Sequence, residues 1–166
     1  MGQFGYRICQ DDASLDIMDT LRDEGYGEAL SWLGTTPKPD MNYWDLNGWL
    51  TLGAIVAESR GLRVTREWYC SSGDMASEFL DNAGMVDFSN EEVETVLNDI
   101  VLCRKYLEAN KEDAVREEFN GTSLYDDMGV ENGVEFKTMY EFLHAASSEL
   151  IELLQKCKKN TNSQKA

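Results

Sequence analysis

Residues 44–59 read WDLNGWLTLGAIVAES, and the only charged side chains in this segment are Asp45 and Glu58, one near each end. A helix without a polar face is normally enclosed by its neighbours on every side. The sequence therefore predicts that residues 44–59 form the buried central helix of the fold. Gly48 and Gly53 lack a Cβ, so neighbouring helices can approach this helix closely at two points.

Helical patterns flank this segment on both sides. Residues 12–23 place their apolar side chains on one side of a first helix, for which Asp11 or Asp12 is the expected N-cap. Ser89-Asn90-Glu91-Glu92 is a capping box followed by an apolar row of helical period, and a long C-terminal helix is expected from Phe136.

The predicted fold class is mainly α, with five to seven helices packed around the buried central helix in one compact domain. One short β element is allowed, and the two candidates for it are residues 4–9 and 61–72. The chain has 166 residues, a length typical of a single domain. We assign residues 1–157 to that acidic helical domain and residues 158–166 to a polar, disordered tail.

The charge of the chain is strongly unbalanced. Thirty-one acidic and fifteen basic side chains give a formal net charge of −16, and residues 89–135 alone hold thirteen acidic and four basic side chains. Such a field repels nucleic acid and anionic membranes and attracts basic protein surfaces. A charge magnitude of about 2–8 is enough for the solubility of a small domain. The excess therefore indicates either a basic partner or a general acidic bias of the host's proteins.

Two groups of acidic residues are candidate partner-binding residues. The first is Asp12, Asp16, Asp19 and Asp23, which recur at i, i+4, i+7 and i+11 on the first helix. Helical rise separates them by about 4.5 to 6 Å along the axis, within reach of the spacing of phosphates along a nucleic-acid strand. The same pattern is also typical of a solvated helix face, so both interpretations stay open.

The second group follows the capping box. It comprises Glu91, Glu92, Glu94, Asp99, Glu108, Glu112, Asp113, Glu117, Glu118, Asp126 and Asp127. The first four of these occupy the arc of their helix that the apolar row leaves free. We therefore expect them to face solvent or a partner.

Catalytic and metal-binding motifs are weak in this sequence. Glu141-x-x-His144 resembles half of a di-iron site, but His144 is the only histidine, so a second copy of the unit cannot exist. Asp126 and Asp127 could help to bind a divalent cation, although loop carboxylates usually meet water. Walker, G-x-S-x-G and H-E-x-x-H motifs do not occur. We expect a non-catalytic protein without a cofactor or a resident metal.

Cysteine usage points to a reducing compartment. Cys9, Cys70, Cys103 and Cys157 are far apart and form no C-x-x-C pair, so we expect free, mostly buried thiols. The N-terminus has no signal-peptide pattern, and no apolar run reaches the ~18 residues of a membrane span. The expected location is the cytoplasm.

Aromatic residues have two interpretations. Trp44, Trp49 and Trp68 are predicted to belong to the core. Tyr43, Trp44 and Tyr125 stand beside acidic residues and suit anchors for a partner as well.

The N-terminal motif is similar to that of a known family. Gly2, Gly5, Asp12, Leu15, Asp16 and Asp19 match small bacterial proteins, a domain of unknown function, that open with Met-Gly-x-Trp-Gly, an acidic pair and Leu-Asp. Phe4 stands where that family usually has Trp, and Gln10-Asp11 departs from its commoner pairs. The resemblance covers about the first eighth of the chain. It implies a compact bacterial or phage domain and transfers no active site.

These observations favour an acidic protein that binds and blocks a basic, nucleic-acid-binding surface of a partner protein. Anti-CRISPR and anti-restriction inhibitors and toxin-immunity proteins act by this physics. Direct binding to nucleic acid or to a membrane is not expected. Two alternatives are an enzyme that uses clustered carboxylates with a divalent metal, and a structural module that oligomerises, for example as a homodimer.

Overall fold

The computed structural model describes residues 7–39, 41, 43–109 and 136–165, with side chains in these ranges except at 43, 44, 136–139 and 158–165. These ranges contain six α-helices: α1 (Asp12–Asp23), α2 (Tyr26–Leu33), α3 (Tyr43–Ser59), α4 (Met75–Asp81), α5 (Asn90–Ala109) and α6 (Phe136–Lys165). Two short 3-10 helices, Arg66–Trp68 and Ala83–Met85, lie between α3 and α5. The predicted mainly α fold is confirmed.

Helix α3 is the enclosed centre of the fold. Residues 46–57 are all buried, and α1, α2, α4, α5 and α6 each pack against α3. Its two internal polar side chains have buried contacts with the segment before α1. Asn47 Nδ2 donates to Asp11 Oδ2 at 3.0 Å, and Thr51 Oγ1 lies 3.3 Å from Cys9 Sγ. The predicted buried central helix is confirmed.

The two glycines of α3 lie where neighbouring side chains come closest. A Cβ placed on Gly53 would be 2.9 Å from Leu150 Cδ1 and 3.1 Å from Ile100 Cδ1. A Cβ placed on Gly48 would be 2.6 Å from Leu33 Cδ2. The predicted close approach therefore occurs at both positions.

Side-chain caps start three of the helices. Asp11, and not Asp12, caps α1, because Asp11 Oδ1 accepts from the Ser14 N–H at 2.6 Å. Asp74 caps α4 in the same manner. The predicted capping box of α5 is present: the Ser89 N–H donates to Glu92 Oε1 at 2.8 Å, and the Glu92 N–H donates to Ser89 Oγ at 3.1 Å.

Neither candidate β element is a strand within the described residues. Residues 7–10 form a turn in which the Gln10 N–H donates to the Arg7 carbonyl at 3.0 Å. The part of residues 4–9 before this turn lies outside the described residues. Residues 61–72 are irregular around the 3-10 helix Arg66–Trp68, so this candidate is not a strand.

Three carboxylates hold the irregular segment against the helices. Arg66 Nε lies 3.0 Å from Glu58 Oε2, and Arg66 Nη1 lies 2.8 Å from Asp81 Oδ1. Glu149 of α6 accepts hydrogen bonds from the backbone and the hydroxyl of Thr65. The segment is therefore fixed by ion pairs and hydrogen bonds in place of a sheet.

Helix α6 has 30 residues and packs along α5 and α3. Its bounds run to Lys165 and so include residues 158–165, which the sequence analysis assigned to a polar tail. The side chains of these residues lie outside the described part, and the disorder of the tail stays a prediction.

The close approach at Gly53 gives the first testable prediction. Gly53→Val should destabilise the fold by about 1–3 kcal/mol, because the added methyl groups force Ile100 and Leu150 out of their packed positions. Urea unfolding measures this change. Gly27→Val is the matched control, since nothing lies within 4 Å of a Cβ at this exposed position of α2. The control should change stability by less than about 0.5 kcal/mol. Equal effects of the two substitutions would contradict the close approach.

Candidate functional site

Helix α1 exposes a row of carboxylates on the side opposite the core. Asp12, Asp16, Asp19 and Asp23 are all exposed, whereas Ile17, Met18 and Leu21 on the other side are buried. We call these four aspartates the acidic α1 face. The structure brings together all four residues of the first predicted group.

Arg22 compensates part of the acidic α1 face. Its Nη2 lies 3.1 Å from Asp19 Oδ1, and its Nε lies 3.0 Å from Asp23 Oδ1. The hydrogen bond from Arg22 lowers the pKa of Asp23. Because all three side chains are largely exposed, solvent and salt screen these pairs strongly.

Helix α5 uses its acidic residues in different ways. Glu91 and Glu94 are exposed, as expected. Glu92 is half of the capping box, so its carboxylate stabilises the first turn of α5. Glu108 is 51% exposed and lies 3.6 Å from both Arg104 Nε and His144 Nε2, at the contact between α5 and α6.

The prediction that Asp99 faces solvent or a partner is wrong. Its side chain is only 5% exposed. Removal from water raises the pKa of Asp99 to about 6, and Oδ2 has no hydrogen-bond partner in the described part of the chain. The sequence pattern missed this because Asp99 lies at the edge of the apolar arc of α5, where the burial of a residue depends on tertiary packing.

Tyr26 links the acidic α1 face to the start of α5. The ring of Tyr26, three residues after Asp23, packs edge-on against Phe88 with centroids 6.1 Å apart. Burial, together with the charges of Asp99 and Glu92, raises the pKa of Tyr26 to about 12. Tyr26, in the first turn of α2, therefore packs against Phe88, two residues before α5 begins.

Most of the remaining predicted residues cannot be placed. Glu112, Asp113, Glu117, Glu118, Asp126 and Asp127 lie outside the described residues. His144 stacks on Tyr140 with ring centroids 5.7 Å apart, a boundary position on α6. In the ranges that the structure describes, no three His, Cys, Asp or Glu side chains are grouped as metal ligands would be.

The four cysteines are free and buried, as predicted. Burial raises the pKa of all four thiols. They are therefore protonated at neutral pH and poorly suited to nucleophilic chemistry.

The aromatic residues include two that the structure places as predicted, three whose side chains it does not describe, and one that the sequence analysis did not mention. Trp49 is buried and Trp68 is partly buried against the core, as expected. The side chains of Tyr43 and Trp44, and all of Tyr125, lie outside the described part. Trp32, which the sequence analysis did not single out, is 67% exposed.

Sequence reasoning also missed a groove between α1 and α4. Its volume is about 420 Å³, and the residues that line it are Leu15, Met18, Asp19, Arg22, Met75, Glu78, Phe79, Asn82 and Met85. Met75 and Met85 are 65% and 58% exposed. The only sequence signal was methionine at three positions that are far apart along the chain.

Comparison with protein-family models, with curated proteins and with solved structures found no match to this chain. The resemblance of the N-terminal motif to a bacterial family therefore stays a prediction. Asp12, Leu15, Asp16 and Asp19 of that motif lie on α1, while Gly2, Phe4 and Gly5 lie outside the described residues. Among the described helices, none combines the length and the apolar character that crossing a membrane requires.

The buried carboxylate of Asp99 gives a pH prediction. The folded protein holds this proton more tightly than the unfolded chain, in which the pKa is near 3.8. The resulting stability is present below that value and is lost as the pH rises through about 6. Wild-type stability should therefore lose about 1 kcal/mol from Asp99 between about pH 5 and pH 7.5.

Urea unfolding of the wild type and of Asp99→Asn at the two pH values isolates the contribution of Asp99 to the pH dependence of stability. Because an asparagine side chain does not ionise, the variant should lack this part of the pH dependence. Parallel pH profiles for the two proteins would show that Asp99 is hydrated and titrates normally.

Proposed function

We propose that this chain is a non-catalytic acidic protein that binds a basic surface of a partner protein and blocks it. The acidic α1 face carries the proposal, because its four aspartates are all exposed in a chain of formal net charge −16. Between Asp11 and Glu28 there are seven acidic side chains and one basic side chain, Arg22. The formal charge of this stretch of sequence is therefore −6.

A nucleic-acid-binding groove is the natural counterpart of such a face. Successive aspartates of the acidic α1 face are separated by about 4.5 to 6 Å along the helix axis. Lysine and arginine side chains that hold successive phosphates can contact a row of carboxylates at this spacing. The partner is then a nuclease, a restriction enzyme, a CRISPR effector or a toxin, and the bound carboxylates exclude its nucleic acid.

Exposed acids on α5 can widen the surface. Glu91 and Glu94, both exposed, follow in sequence after Phe88, whose ring contacts Tyr26 just beyond α1. A partner that covers both helix ends would contact acids from two elements. Charge pairs spread over a wide surface raise the association rate and make binding sensitive to salt.

Affinity capture from a bacterial lysate at about 50 mM and about 500 mM salt is the first test, because salt weakens surface charge pairs. We expect a nucleic-acid-processing protein at low salt only, and we expect the chain to displace labelled duplex DNA from it. Recovery of abundant ribosomal proteins alone would contradict a dedicated partner.

Two variants of equal charge change locate the binding surface on the captured protein. Asp16→Asn/Asp19→Asn/Asp23→Asn removes three charges from the acidic α1 face. Glu141→Gln/Glu152→Gln/Gln155→Lys makes the net charge less negative by the same amount on exposed positions of α6. The first variant should weaken displacement of DNA by about tenfold and the second by much less. Equal losses would mean that net charge alone governs binding, and the proposed surface would be wrong.

A further inference from the structure

The groove between α1 and α4 combines an apolar floor with an acidic rim. Leu15, Met18 and Phe79 form the floor, and the exposed side chains of Met75 and Met85 border it. Methionine side chains are flexible and polarisable, so they adapt to apolar side chains of different shapes. Large exposed apolar side chains grouped at one groove are typical of an interaction site.

The charges at the rim specify the chemistry of the occupant. Asp19 and Glu78 line opposite sides of the groove, one on α1 and one on α4. The cation that also lines it, Arg22, is already paired with Asp19 and Asp23. The rim thus carries two acids and one cation, and Asp19 is shared with Arg22. A segment that enters with apolar side chains inward and basic side chains at its edges finds Glu78 on the α4 side and the rest of the acidic α1 face on the other.

We infer that this groove receives the apolar side chains of a basic amphipathic helix on the partner protein, an inference that rests on the proposed function. The residues of α1 that line the groove span Leu15 to Arg22, or about 10 Å along the helix. This length matches two turns of a bound helix, whose anchors stand at i, i+3 or i+4, and i+7. The acidic α1 face then supplies the charge attraction, and the groove supplies the apolar contact.

A second copy of this chain is a poor occupant. Each copy carries a formal net charge of −16, and the groove borders the acidic α1 face. Two copies joined here would bring their acidic α1 faces close together, which like-charge repulsion opposes.

A designed peptide tests the inference directly. The probe is a labelled peptide of about 14 residues made of Leu and Lys, with leucines at the helical spacing of one face. A peptide of the same composition in scrambled order has the same charge without the apolar face. Fluorescence anisotropy measures the affinity of both peptides for the full chain, and the Met75 and Met85 methyl signals in NMR report contact.

We expect Met75→Gln/Met85→Gln to weaken binding of the amphipathic peptide by about tenfold, without changing that of the scrambled peptide. Val101→Gln is the matched control, because Val101 is an exposed apolar residue (40%) on α5. It should leave both affinities unchanged. The unfolding midpoints of the variants check that they fold like the wild type.

Other outcomes separate the inference from the proposed function. If Asp16→Asn/Asp19→Asn/Asp23→Asn weakens binding and the methionine variant does not, the groove inference is wrong and the acidic surface stands. If salt and both variants leave the affinities unchanged, the proposed function fails as well. A dimer of the chain alone that Met75→Gln/Met85→Gln abolishes would overturn the inference, because a second copy would then occupy the groove.

Discussion

Because α3 has no polar face, the other described α-helices must pack so that each of them covers part of α3. Helices α1, α2 and α4 pack against α3, as do α5 and α6. Each surrounding helix turns its own apolar side toward the core, and this orientation leaves its other side to solvent. The outward position of the acidic α1 face follows from this constraint, since Ile17, Met18 and Leu21 must point inward.

Apart from the buried Asp99, two groups stand out among the described acidic side chains. One is structural: Asp11 and Asp74 cap helices, Glu58 pairs with Arg66, and Glu149 holds Thr65. The other is exposed and contains the acidic α1 face with Glu91 and Glu94. Arg22 contacts two of the four α1 aspartates, Asp19 and Asp23. Only the exposed group can contact a partner directly.

Local signals in the sequence gave most of the fold. The apolar run of residues 44–59, the capping box at Ser89 and the two close glycines of α3 each depend on interactions within one helix or on the absence of a side chain. Asp99 and the methionine groove could not be predicted in this way. The burial of Asp99 depends on tertiary packing at the edge of the apolar arc of α5, and the groove joins side chains of α1 and α4 whose relative placement only the packing on α3 defines.

The four buried thiols lie in four segments of the chain: the turn before α1, the segment before α4, α5 and α6. The first two segments are neighbours, since the Cys9 N–H donates to the Tyr69 carbonyl at 2.9 Å. Each sulfur is protected from reagents until its own segment detaches from the rest, because a protonated, enclosed thiol reacts slowly. The molecule thus carries a built-in set of reporters for local opening. The alkylation rate of each cysteine would rank the free energies of local opening of these four segments, and no cysteine would have to be introduced.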